Sequence, residues 1–555
     1  MSVIASWTPM PAAIGADAAS TLVVAPLLIA LVTGVASLLA GRQHRGRIGV
    51  SLFGALAYLL AVVAIDWYLV LAPDAPGIAT YQVGGWPAPF GITLVVDGLS
   101  AFMLTMVAVI GIASLLSSIR VLPDLDRHRY YFPLFHFLMV GVTGAFLTGD
   151  LFNLFVWFEV MLMASYLFVA YDGGPLQTRA AFWYVSLNLV ASAVFLLGVG
   201  GLYATAGSLN MADLSRRLAE PAAYGIDPVP VVGLFGLLLA VFAIKAGLVP
   251  FQFWIPSAYQ AAPPQIAALL AGATKKVGIY AIIRLSFTVV GDAPVDVSLA
   301  VPFTGLELAG DSPLVFVGAA LFAMAVASIF VGGLGAVGGR SIESVLAYSS
   351  IGQVGFIALP VAIAAAVPEL RTLGIVAALV YALNHTLAKG LLFLAVGAVR
   401  TATGTSRLAE LGGLAGRSPS LAVPFFVGSL ALVGIPPLSG FFGKFLVFDV
   451  AARTASSALV IVVVAGSVLS LVYATRLWTR SFWGPPSTAV ETAVTDHVQA
   501  AVLLALALAI VGVGVGFEPV YAFAEAGAEA ALDADAYVEA VDPADEVSTG
   551  SGGDH

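Results

Sequence analysis

Cysteine is absent from the 555 residues, only 10% of them are charged, and lysine occurs just five times. Without cysteine there can be no disulfides, no thiolate-ligated iron–sulfur clusters and no covalently attached c-type haem. Redox chemistry coupled to this chain would therefore take place in another polypeptide, and no cofactor or metal site is expected within it. The shortage of charge beside 60% hydrophobic residues excludes an ordinary soluble domain and indicates a polytopic membrane protein. Lys and Arg are missing after Arg480, a region that holds twelve of the 32 acidic residues. The five lysines, Lys245, Lys275, Lys276, Lys389 and Lys444, all lie inside apolar stretches. A charge at the centre of a membrane helix costs roughly 2.5 to 3.5 kcal/mol, so five unpartnered ammonium groups would cost on the order of 15 kcal/mol. Retaining them points to ion or proton handling.

Apolar segments recur from end to end and predict an all-α polytopic membrane protein with fourteen transmembrane helices. They span about 21–41, 47–71, 95–119, 131–149, 150–170, 180–206, 229–254, 263–290, 313–336, 342–366, 371–400, 420–450, 456–480 and 498–520. Barrel strands would instead alternate over about ten residues. The first residues show no basic n-region, so the first span is expected to be retained. The expected divisions are 1–94 (two helices and an outer loop), 95–312 (first half), 313–483 (second half), 484–520 (last helix) and 521–555 (acidic tail). That tail reads as a short acidic helix fraying into disorder. Together with lysine-free loops, it suggests a salt-adapted source.

With the N-terminus outside, thirteen arginines fall in inner loops and four (Arg216, Arg217, Arg371, Arg453) in outer ones, while Arg284 joins the lysines in the spans. The positive-inside rule then puts both termini outside the cell membrane. The outer segment 291–312 fits, carrying Asp292, Asp296, Glu307 and Asp311 without a basic residue.

Glu159 stands at mid-membrane in LFNLFVWFEVMLMASYLFV, either as a proton carrier or as a carboxylate holding a neighbouring helix. Either role requires a partner, for which Lys245 in VFAIKAGLVPFQFW is the natural choice. Pro250 cannot donate to the Ala246 carbonyl, so the helix should weaken just past Lys245, the alternative being a plain kink with a snorkelling lysine. Lys275 and Lys276 are adjacent and point about 100° apart, so only one is expected to face a pathway. Arg284, nearer the outer end, reads as a snorkelled anchor. His385 and Lys389, four apart, share a helical face at mid-span, where imidazole can exchange protons near neutral pH. Pro436 and Pro437 predict a second break before Lys444, and Asp449 is either the counter-charge of Lys444 or a residue of the membrane edge. Gly333, Gly335 and Gly338 mimic a dinucleotide spacing but follow a membrane helix, so the match carries no meaning.

The motifs FEVMLMASY, KAGLVPFQFWIPSAY, KKVGIYAIIR, LAYSSIGQVGF, HTLAKGLLFLAVG and GIPPLSGFFGKF, spread over about 95–480, carry a resemblance. The chain is similar to the antiporter-like family shared by Mrp-type multisubunit Na+/H+ antiporters and the proton-pumping membrane subunits of complex I and related hydrogenases. LNMADL and FWYVSLNLVASAVFLLGVGGLYATAG resemble its D-type Mrp branch, in which the long lateral helix of larger members is not expected. The resemblance implies two inverted five-helix repeats (helices 4–8 and 9–13) and a proton route along Glu159, Lys245, Lys276, His385 or Lys389, and Lys444, with Lys275 an extra. It also implies other membrane subunits as partners, protons as cargo with Na+ a second candidate, and no nucleic acid. One departure stands out, since Glu343 and Ser344 precede LAYSS where family members often carry a basic pair. The main rival is a proton-pumping subunit of a redox-driven complex; a scaffold without transport is a third.

Overall fold

A computed structural model describes residues 15–41, 43–121, 129–301 and 306–541. The fourteen expected spans are all present, as twelve helices of spanning length and two shorter apolar ones. The first are α1 (Ala16–Leu39) and α2 (His44–Ile65), which runs on through a π turn, Asp66–Leu71. A hairpin of β1 (Ala79–Gln82) and β2 (Thr93–Val96) follows, with Ala79 opposite Val96. Next come α3 (Gly98–Val121), α4 (Tyr131–Leu147), α5 (Leu151–Val169), α6 (Pro175–Ala206) and a short loop helix, α7 (Met211–Ala219). The seventh span is broken into α8 (Val229–Ala246) and α9 (Trp254–Ala261). The eighth is continuous, running from α10 (Pro264–Leu269) through a π segment into α11 (Lys275–Ile283) and a second π segment, Arg284–Val289.

A second hairpin pairs β3 (Val297–Val301) with β4 (Leu306–Gly310). Then follow α12 (Leu314–Val337), α13 (Ile342–Ala366) and α14 (Arg371–Thr403), with a one-turn α15 (Leu414–Arg417). The twelfth span is broken into α16 (Pro419–Val433) and α17 (Ser439–Arg453). The chain continues with α18 (Ser457–Ser481), a one-turn α19 (Thr488–Glu491), α20 (His497–Val515), α21 (Phe517–Leu532) and α22 (Ala534–Val541).

Local chemistry explains where these elements start and stop. The side chains of Asp150, Asn210, Ser341 and Asp496 accept hydrogen bonds from the first amides of α5, α7, α13 and α20. Gly247 and Gly434 end α8 and α16 in the left-handed conformation that glycine adopts most readily. The eighth span forms the centre, every residue of its most apolar window being buried, against 28% for α18. Leu28, Phe53, Leu60, Trp183 and Leu508 point outward, as lipid-facing residues do. Small residues set the closest approach, since a methyl on Gly332 of α12 would stand 2.1 Å from the Gly352 amide of α13. Gly335 packs on Tyr348 and Gly333 on Leu469, so the glycine pattern in α12 serves helix packing.

One expectation needs correction, and one feature was not foreseen. The connections 72–97 and 290–313 each contain a β-hairpin, which lets an extended chain pair its own backbone groups. The region after 520 does not simply fray, because α21 and α22 fold back on the bundle with Phe523, Ala524, Ala528, Ala531 and Tyr537 buried. Alanine and glycine on one face permit this contact, a methyl on Gly98 standing only 2.4 Å from the Ala526 carbonyl. Residues 542–555 lie outside the described residues.

The loops segregate into two sets. Gln82 donates to the Val541 carbonyl at 3.3 Å, and an isolated bridge joins Asp150 to Asn210. In the other set Arg120 pairs with Asp496 at 2.7 Å and Ser341 bridges to Arg407. Here, as one face, lie most of the arginines counted as inner.

Candidate functional site

Glu159 and Lys245 approach one another without touching, as no ion pair within 4.0 Å joins them. Two polar side chains of α6 stand between. Ser192 Oγ donates to Glu159 Oε1 and, at 2.9 Å, to the Asn188 carbonyl, while Lys245 Nζ donates to Asn188 Oδ1 at 2.9 Å. The expected direct pairing is thus corrected to a bridged one, α6 filling the space between α5 and α8. Glu159 is half-buried, whereas Lys245 is buried and lies 5.5 Å from the Phe158 ring centroid.

The helix breaks where Pro250 predicted, α8 ending one residue past Lys245. Polar groups freed there are satisfied from outside: Ser328 Oγ of α12 accepts from the Val249 amide at 2.9 Å, and Trp254 Nε1 donates to the Ile244 carbonyl at 3.0 Å. A Cβ on Gly247 would meet the Lys275 side chain at 3.3 Å, so Lys275 lies against the break.

The two adjacent lysines diverge yet serve one cluster. Lys276 Nζ lies 2.5 Å from His385 Nδ1 and donates to the Ala271 carbonyl at 2.7 Å. Lys275 Nζ donates to the Ser350 carbonyl of α13 at 3.2 Å. Lys389 Nζ donates to the neighbouring Leu346 carbonyl at 2.9 Å and to the Ser349 hydroxyl. All four groups are buried. The two side chains diverge as helical geometry requires, Lys275 reaching α13 through Ser350 and Lys276 reaching α14 through His385. The π segment Leu270–Thr274 directly precedes them, a local widening often found at functional sites.

At the second break Lys444 Nζ donates to the Val433 carbonyl, the last of α16, at 2.9 Å. Its ammonium lies 5.4 Å from the Phe356 ring centroid. Asp449 pairs with Arg453 at 3.0 Å, so it belongs to the membrane edge. Between Lys444 and His385 lie neutral polar groups that charge alone did not reveal. Tyr381 donates to Gln353 at 2.5 Å, Gln353 to Tyr473 at 2.9 Å, and Ser439 to Asn384 at 2.8 Å. The available signal was an amide inside an apolar span, as with Gln353 and Asn188.

Arg284 is not a snorkelled anchor. It is buried and pairs with Asp97 at 2.5 Å, beneath the Tyr537 ring 5.0 Å away. Asp97, at the start of α3, also accepts from the Ser100 amide at 2.9 Å. The reason is the fold: α22 covers the end of the span that an isolated helix would leave open to solvent. On the same face Asp213 binds Arg216 and Arg217 at 2.9 Å. Burial alone would raise the proton affinity of that carboxyl, but hydrogen bonds from Ser208, Arg217 and Arg216 outweigh it and hold the group below the usual carboxylate range.

The chain as a whole is similar to known proteins. A sequence profile described as NADH:quinone oxidoreductase/Mrp antiporter, transmembrane, matches residues 148–306 and 311–470. The chain is 35% identical to the D-type subunit of the Na(+)/H(+) antiporter of Alkalihalophilus pseudofirmus, over 94% of this chain and 99% of that one. It also resembles a chain of the Mrp complex from Dietzia sp. DQ12-45-1b, with a TM-score of 0.80 and 28% identity over 94% of this chain and 99% of that chain. A chain of the membrane-bound sulfane sulfur reductase, an archaeal respiratory membrane complex, matches with a TM-score of 0.80 and 27% identity, over 95% and 100%. The two broken spans and the buried lysines thus sit in a chain that belongs to the NADH:quinone oxidoreductase/Mrp antiporter family of transmembrane proteins.

Proposed function

We propose that this chain is the proton-translocating membrane subunit of a multisubunit cation/proton antiporter. It would work beside other membrane subunits in the cell membrane, with both termini outside. The observation that carries the reading is the bridged run from Glu159 through Ser192 and Asn188 to Lys245, followed by the Lys276–His385 contact. These are groups able to gain and lose protons, buried in apolar spans where a fixed charge has little other use. The two halves of the route each end at a broken helix, in keeping with inverted repeats. In the proposed cycle, an ionised Glu159 holds a proton on Lys245 through Asn188 and Ser192. Weakening of that coupling releases the proton toward the cluster, and Lys444 passes it on. Cation movement elsewhere in the complex drives the step, one charge crossing 100 mV being worth about 2.3 kcal/mol. The cargo of this chain is the proton; oxygen-rich positions that could hold Na+ are few at this depth.

The test is Lys245→Ala in the assembled complex. Cation-dependent proton exchange should vanish while assembly persists, and normal exchange would sink the relay. A second reading, a proton-pumping subunit of a redox-driven complex, is favoured by the equal structural match to the archaeal respiratory chain. Iron–sulfur or flavin absorbance in the purified assembly would support it, whereas a colourless set of membrane subunits supports the antiporter.

A further inference from the structure

On the arginine-rich face a cavity of about 1160 Å³ opens between α13 and α14, lined by Gln260, Arg340, Ser344, Arg400 and Arg407 among others. Glu343 stands on its wall in the first turn of α13. It is only 6% exposed, its Oε1 lies 3.8 Å from Arg400 Nη1, and its Oε2 has no hydrogen-bond partner. A carboxylate kept for structure would close that distance and satisfy both oxygens, because a buried polar group left without a partner is costly and rare. The positive end of α13, together with Arg340, Arg400 and Arg407 in the same cavity, compensates a negative charge there, while Glu410 and the Tyr348 hydroxyl complete the ionisable lining. One turn further along α13 is Leu346, whose carbonyl accepts from Lys389 Nζ at 2.9 Å. Three residues of helix amount to about 4.5 Å of rise and stay on one face.

We propose that Glu343 is the proton-collecting group of an inlet on this face, delivering protons from the cavity to Lys389. The inlet rests on the proton-relay reading above. Protonated Glu343 gives its proton, through solvent at the cavity floor, to the neutral amine of Lys389; a carboxylate and an ammonium result, and Glu343 is reprotonated from bulk. The nearby arginines keep the emptied carboxylate tolerable without binding it tightly enough to stop the exchange.

Three variants of the intact complex in everted vesicles test this. Glu343→Gln should slow cation-dependent proton exchange about a hundredfold, the lower end of the range for a lost acid–base group, and flatten its dependence on the pH of the arginine-rich side. Glu343→Asp should restore much of the rate. Because the chain has no cysteine of its own, Ser344→Cys offers a single thiol that a membrane-impermeant reagent should label from the arginine-rich face only. Wild-type rates in Glu343→Gln alongside an inactive Lys245→Ala would overturn the inlet and leave the relay standing. Equal slowing in the Gln and Asp variants with an unchanged pH profile, or an unlabelled Ser344→Cys, would also overturn it. An active Lys245→Ala removes the relay itself.

Discussion

A carboxylate and an ammonium in the same apolar region tend to collapse into contact, yet the Asn188 amide and the Ser192 hydroxyl hold Glu159 and Lys245 apart. A direct pair would keep its proton; a bridged one can be strengthened or loosened by small movements of α6. Asn188→Leu, which removes the hydrogen bond to Lys245, should therefore lower exchange with assembly intact, measured as cation-dependent pH change in vesicles, and Ser192→Ala should do less. Lys275 is the second residue whose weight changes. Its contact with the broken segment and with Ser350 predicts that Lys275→Met slows exchange, whereas a bystander would leave the rate unaltered. The charged members of this site were legible because charge is expensive in a membrane helix and so conspicuous. Asn188, Ser192 and Ser349 were not, since hydroxyls and amides occur in apolar helices for many reasons and only the packing of α5, α6, α8, α13 and α14 shows what they touch.

Both breaks follow from proline, which removes an amide donor and forces the helix to end nearby, and both were readable at Pro250 and at Pro436–Pro437. What supports the broken backbone was not readable, because the support comes from another helix. Ser328→Ala would leave the Val249 amide unsatisfied at a cost of about 1 to 3 kcal/mol, so the melting temperature in detergent should fall by a few degrees. The π segments flanking α11 are equally invisible in a string of residues, as they express the fit of one helix among its neighbours. In α7, Asp213 gives a pH test. Its carboxyl titrates lower in the folded protein than in the unfolded chain, so its stabilising effect is fully present above the unfolded value of about 3.9 and fades as pH falls through the folded value. Asp213→Asn should lower the melting temperature at pH 7 and lose that deficit in strong acid.

At the scale of the molecule, fourteen spans and their alternation were recoverable because apolar length is a strong signal. The folding back of α21 and α22 was not, since acidic and small residues alternate there without an apolar run. Their packing turns Arg284 and Asp97 into a sealed ion pair, with Tyr537 as its cover. Removing one partner strands a buried charge, so Asp97→Ala should destabilise by about 3 to 5 kcal/mol, whereas replacing both with apolar residues should cost far less. Thermal unfolding of the two variants in detergent distinguishes these outcomes.

The contact between Lys276 and His385 has a consequence for counting. At 2.5 Å, two positive charges would repel by about 7 kcal/mol even at an effective dielectric constant of about 20. The two residues therefore offer one seat, not two, and a second proton can board only after the first has left. If the proposed relay runs through this contact, it would pass protons singly and in order.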